Sequence, residues 1–191
     1  MKIIIKYLIV LLCLSFNILN AQEVINQHKI KYFSFDPITK QFFYSVKKEY
    51  PNTNKKQIFN LINKWIIIYY PDTNLIYNRN FELGIIKLNM MYDVLLYNEY
   101  IGKHYSTFIV EISDNSVEYK IFDFRFKKRN KFSSDEESPF FNNKSQTLEE
   151  IVLDQKGSVK KDFREGFTLL EEKCFQTVEY LDNYIKSRIL K

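Results

Sequence analysis

With 191 residues, a formal charge of +5, 17% aromatic residues and only four glycines, the chain reads as packed and strand-containing and not as a disordered tail. That length supports one domain with accessories and is marginal for two. The charge surplus is too small to point to nucleic acid.

The chain opens Met1-Lys2-Ile3-Ile4-Ile5-Lys6, continues as an apolar run from Tyr7 to Phe16, and closes on Asn17-Ile18-Leu19-Asn20-Ala21-Gln22. A basic start, a short apolar centre and a small residue at the cut form the pattern of a secretory signal peptide. Residues 1–21 are therefore expected to be removed after Ala21, leaving Gln22 as the new N-terminus, a net charge of +3 and a place in the periplasm or cell envelope. An uncleaved anchor is the alternative, but a spanning helix needs about 20 apolar residues, and Asn17 and Asn20 interrupt this run. Lipidation at Cys13 is a third reading; Leu11-Leu12 before it are bulky, so Cys13 reads more simply as part of the apolar centre. Without Cys13, Cys174 is the sole thiol, so no disulfide within the chain is possible.

Residues 22–39 read as a polar lead-in, with a turn at Asp36-Pro37. Gln41 to Tyr50 reads as an aromatic strand ended by Pro51. A helix follows, with Asn54 as N-cap and Gln57 completing a capping-box-like pair. Ile58, Leu61, Ile62, Trp65 and Tyr69 fall on one face, and Pro71 stops the helix. Trp65 lies in mid-stripe and reads as a core anchor.

From Leu75 the period becomes two, with Ile86, Leu88, Met90, Tyr92, Val94 and Leu96 on one side of a long strand. A loop from Asn98 to Lys103 leads to a strand His104–Ser113. Asp114-Asn115-Ser116 turns the chain, and Val117 to Lys127 returns with Phe122, Phe124 and Phe126 expected on one side. The basic run 127–131 and the acidic run 133–139 read as an exposed linker, 129–145, with docking of lipid head groups or anionic glycans as the alternative. The last region, 146–191, is helical: a short piece near Leu148 to Leu153, then a long helix capped by Ser158. Its stripe is Val159, Phe163, Phe167, Leu170, Cys174, Val178, Leu181, Ile185 and Ile189. At about 1.5 Å per residue such a helix outruns a small sheet, so part of the stripe is expected to meet the short helix or another subunit. A break at Gly166 is the alternative.

The succession of Thr53-Asn54-Lys55-Lys56-Gln57-Ile58-Phe59, Trp65, Gly84-Ile85-Ile86 and the strand pair from Phe108 to Phe126 resembles the exported bacterial family called domain of unknown function 4468. The resemblance covers residues 40–128 and implies a TATA-box-binding-protein-like fold. The expected fold class is thus α+β: a strand, a helix and a four-strand antiparallel meander, with the helix on one face and a long C-terminal helix. A fold of this kind implies nothing about DNA, and the family brings no catalytic residues.

No phosphate-binding glycine loop, nucleophile elbow or HExxH helix is present. His28 and His104 are too few to anchor a zinc site. Cys174 sits on the apolar stripe, and a pairing with His104 has nothing to position it. Glu111 and Asp123, on neighbouring strands, are the one carboxylate pair available for acid–base work; a charged sheet surface, with Arg125 paired to Asp123, is the plainer reading. The sequence therefore assigns no catalytic, cofactor-binding or metal-ligating residue and no cofactor. It points to a non-enzymatic periplasmic or envelope-associated binding or assembly module, with a protein or envelope component meeting the sheet's other face or the C-terminal helix, or with self-association. It engages no nucleic acid, and the membrane only through the leader. A small periplasmic hydrolase using the sheet carboxylates is the alternative.

Overall fold

The computed structural model describes residues 30–70, 77–95, 101–127, 145–155 and 157–189. Strand β1 (Ser34–Asp36) and β2 (Gln41–Glu49) precede helix α1 (Lys55–Tyr69). Then come β3 (Tyr77–Asn80), β4 (Ile85–Leu95), β5 (Ile101–Ser113), β6 (Ser116–Lys127) and β7 (Ser145–Thr147). Helix α2 (Leu148–Val152), a 3₁₀ turn (Lys161–Phe163) and α3 (Arg164–Ile189) complete the chain. The strands form one antiparallel sheet in the order β1-β2-β6-β5-β4-β3, with β7 also on β6.

Helix α1 begins where its cap places it. Asn54 Oδ1 accepts the Gln57 N–H at 2.9 Å, and Asp114 Oδ1 from the β5–β6 turn accepts the Lys55 N–H at 2.8 Å. Ile58, Ile62, Trp65 and Ile66 point into the core, and Trp65 is only 3% exposed. The same corner requires Gly84: its φ is +71°, and a Cβ there would lie 2.3 Å from the Ile112 carbonyl oxygen.

Alternation sets the sheet. Phe42 and Tyr44, then Ile86, Leu88 and Met90, then Phe108, Val110 and Ile112 face the helices. The side chains of Tyr92 and Val94, and Leu96 itself, lie outside the described residues. β5 starts at Ile101, earlier than expected, so Gly102 and Lys103 belong to a strand and not to a loop. On β6 the expected alignment of three phenylalanines is corrected. Val117, Tyr119 and Ile121 are buried, Phe122 faces the other way, and Phe124 and Phe126 are buried again. The switch is a β-bulge: between the pairs Thr107↔Phe122 and Tyr105↔Arg125, β6 holds one extra residue. Asp123 absorbs it at φ +54°, a conformation that Asp tolerates better than most residues.

The bulge also decides where β2 departs. Continuing the β2–β6 register from Tyr44↔Ile121 would bring Phe42 to the bulged Asp123. Its N–H donates instead to Glu149 Oε1 at 2.6 Å, while β7 takes the vacated edge of β6 at Arg125 to Lys127. Helix α2 is set there by a full capping box between Thr147 and Glu150.

The lead-in and the last helix both depart from expectation. Residues 30–36 are not an accessory: Phe33 is buried against Phe42, Phe124 and Phe167, and Tyr32 stacks on Phe175 at 4.4 Å. The long helix starts at Arg164 and not at Ser158, because Val159 bridges Leu153 and the Lys160 N–H donates to the Val152 carbonyl. Its 26 residues run through Gly166 without a break. Phe167, Leu170, Cys174, Val178, Leu181 and Ile185 are all buried within the chain's own fold, and Phe163 and Ile189 near the ends of the stripe are partly buried. α3 lies across β2 and β4 and beside α1, and the arm from Ile30 to Asp36 covers its first half. Of the linker expected at 129–145, residues 129–144 lie outside the described residues, and Ser145 begins β7.

Candidate functional site

Both long helices pack on one side of the sheet, so the described residues leave the other side open. Its centre is made by register. Lys120 of β6 stands opposite Ile109 of β5, which stands opposite Lys87 of β4. Beside that row the bulge has turned Phe122 outward, next to Phe43 of β2 and opposite Thr107. The Lys120 ammonium lies 5.2 Å from the Phe43 ring and 5.5 Å from the Phe122 ring, close enough for cation–π attraction to both. Arg125 Nε donates to Asp123 Oδ1 at 2.9 Å on the same side. The outcome is an aromatic–lysine centre ringed by charges of both signs.

The carboxylate pair weighed from sequence is not brought together. Glu111 lies opposite Glu118, whereas Asp123 lies across from Ser106. Five residues of strand separate the two positions, roughly 17 Å at the usual rise. Asp123 instead pairs with Arg125 as the plainer reading held. Cys174 is buried on the α3 seam. The side chain of His104, and all of His28, fall outside the described residues. No group of three or more potential metal ligands occurs among the described residues.

Two buried acids, Glu171 and Asp182, and the partly buried Glu149 carry the chemistry that sequence reasoning missed. One oxygen of Glu171 accepts the N–H groups of Lys31, Tyr32 and Phe33 at 3.1, 2.9 and 2.8 Å. Burial pushes the Glu171 carboxyl above its usual range, against the pull of those three donors. Glu149 is likewise raised by burial, opposed by the Phe42 N–H and reinforced by nearby Asp123. Asp182, 1% exposed, accepts from Tyr50 and from Lys186, and Tyr50 shares a 2.8 Å hydrogen bond with Tyr119. Burial raises the phenols of both tyrosines, and Tyr44 is pushed up to about 12 for the same reason. A faint signal was present. Glu171 and Asp182 each follow a seam leucine directly and stand eleven residues apart, the repeat of the stripe itself, so they share one edge of α3. These groups join separate elements of the fold, which makes them structural ties.

No protein-family model and no curated protein matches the chain. Two solved structures do. A TBP-like protein from Parabacteroides distasonis matches at 21% identity and a TM-score of 0.52, covering 76% of this chain and 93% of the other. A DUF4468 family protein from Bacteroides ovatus matches at 11% identity and a TM-score of 0.50, covering 74% of this chain and 85% of the other. The likeness thus reaches beyond residues 40–128, and at these identities it is one of fold. The chain has an α+β, TATA-box-binding-protein-like fold with an antiparallel sheet and a long C-terminal helix, structurally similar to these two bacterial proteins.

Proposed function

We propose that this chain is an exported, non-enzymatic binding or assembly module of the bacterial envelope, freed of residues 1–21 and meeting a partner protein through its open sheet face. The observation that carries the reading is the aromatic–lysine centre of Phe43, Lys120 and Phe122, set on the one side of the sheet that no described helix covers. Lys47, Lys87, Lys120 and Arg125 alternate there with Glu49, Glu111, Glu118 and Asp123. Mixed signs around an aromatic centre suit a protein surface better than a polyanion, which would favour a single sign. The hydrolase alternative loses its motive with the separation of Glu111 from Asp123.

Two measurements on the full chain, produced in a bacterial host, test this. The intact mass of envelope-fraction protein is expected to correspond to a start at Gln22; protein retained in the cytosol from Met1 refutes export. A photocrosslinking residue at Phe122 is expected to give a discrete adduct in intact cells that Lys120→Glu abolishes. The same probe at Tyr180, exposed on the helical side, should give none. Equal adducts at both positions, or none at either, refute the face.

A further inference from the structure

The arm of residues 30–36 rests mainly on distant parts of the chain. Its backbone is held by Glu171, its Phe33 ring by Phe124 at 5.0 Å and Phe167 at 5.5 Å, and its Tyr32 ring by Phe175. Its local contacts are the β1–β2 ladder and the rings of Phe33 and Phe35 against Phe42. The link between arm and body is the hairpin loop from Pro37 to Lys40, and it is under tension. Lys40 sits at φ +55°, a left-handed conformation that suits Gly or Asn. Ile38 at the tip is 84% exposed, the highest value among the exposed large apolar residues described. Against these, the Asp36 carboxylate holds the loop closed, accepting the Ile38 N–H at 2.9 Å and the Thr39 hydroxyl at 2.8 Å.

We propose that the bed of this arm also accepts the arm of a second copy of the chain, so that two copies exchange residues 30–36 and form a two-fold dimer. Each exchanged arm meets the same Glu171, Phe124, Phe167 and Phe175 it meets in the monomer, so the bed gives up nothing. Straightening the loop releases Lys40 from its left-handed conformation. The two loops then cross at the two-fold axis, where both Ile38 side chains leave water against each other. The Asp36 turn and the independence of the two copies are what is lost, which makes the exchange depend on concentration and on release of the arm.

The test uses protein purified from expression of the full chain, unfolded and refolded at low and high concentration, with mass measured by light scattering after size separation. A dimer is expected at high concentration, returning only slowly to monomer on dilution. Lys40→Gly is expected to lower dimer association at least about fivefold, by removing the strain that opening relieves. Asp36→Ala is expected to raise it. Tyr32→Cys with Phe175→Cys, in a Cys174→Ala background, reports the seating: oxidation of the exchanged dimer links two chains, whereas a closed monomer links only within itself. Monomer at every concentration, or a dimer whose cross-links stay within single chains, overturns the proposal. If the cysteine variant does not fold, the two loop variants decide alone, and no change in dimer association in either overturns it.

Discussion

The Tyr50 hydroxyl donates to Asp182 Oδ1 at 2.9 Å, tying the end of β2 to the last helix across 132 residues of sequence. Around that bond Tyr119 shares its hydroxyl with Tyr50, and Lys48 reaches both Glu179 at 2.6 Å and Asp182 at 3.6 Å. The tie places a buried carboxylate where it has two cations and a phenol to offset the loss of water. Asp182→Ala is expected to destabilise the protein by about 2–3 kcal/mol, less than the ~3–5 kcal/mol of a fully buried broken pair, because Lys48 and Lys186 can turn to solvent. Asp182→Asn keeps an acceptor for Tyr50 and should cost about 1 kcal/mol. Urea unfolding of both variants, with Tyr50→Phe closing a double-mutant cycle, measures the coupling.

Gly84 should not tolerate a side chain. A methyl group there meets the Ile112 carbonyl oxygen at 2.3 Å and the Lys55 Cε at 2.7 Å, in a backbone conformation of positive φ. Gly84→Ala is expected to cost about 3 kcal/mol, combining left-handed strain with overpacking. A thermal melt in which this variant equals the parent would show that the β4 entry is looser than described.

The bulge residue gives a paired prediction. Asp123→Gly loses an ion pair that is half-exposed on the arginine side but gains conformational ease, so stability should change by less than about 0.5 kcal/mol. Asp123→Val, β-branched at positive φ, should lose about 2 kcal/mol. Equal losses in the two variants, by denaturant unfolding, would refute the assignment of strain to this position.

Acid should help this protein at two of its carboxyls. Glu149 and Glu171 are held above 4.5 in the folded chain, so just above that pH the folded state binds more protons than the unfolded one. Their contribution to stability is present below pH 4.5 and is lost as pH rises through the folded values. Glu171→Gln keeps an oxygen for the three N–H donors and removes the titration. Its denaturation midpoint is expected to fall less than the parent's between pH 4 and neutrality. A parallel pair of pH profiles would contradict the raised carboxyl.

Phe33→Ala removes a ring packed against three others and should cost about 3–4 kcal/mol, measured by denaturant unfolding. A loss below about 1 kcal/mol would mean that the arm is an ornament on the core and not part of it.

Local signals were legible wherever local physics decides the outcome. Asn54, Trp65, the alternation through Ile86, Leu88 and Met90, and the Asp114-Asn115 turn each carry their own instruction. Phe122 was misplaced because a single inserted residue reverses the period, and nothing in Asp123 as a letter announces a bulge. The stripe on α3 was read correctly in register, but the arm that packs Phe33 on Phe167 lies far upstream and was not foreseen as part of its cover. Glu149, Glu171 and Asp182 looked like ordinary polar residues of amphipathic helices. Only the approach of backbone N–H groups and a tyrosine from elsewhere makes Glu171 and Asp182 interior and draws Glu149 partly in. A sheet with one helical and one open face was legible, but the meeting of Phe43, Lys120 and Phe122 on that face was not, because the bulge at Asp123 sets it.

The grip of Glu171 on Lys31, Tyr32 and Phe33 has a consequence for timing. A ribosome makes those three residues well before their anchor, so their N–H groups have no carboxylate to donate to until Glu171 has been made. An unfinished polypeptide that lacks Glu171 therefore leaves the three N–H groups of its arm to water.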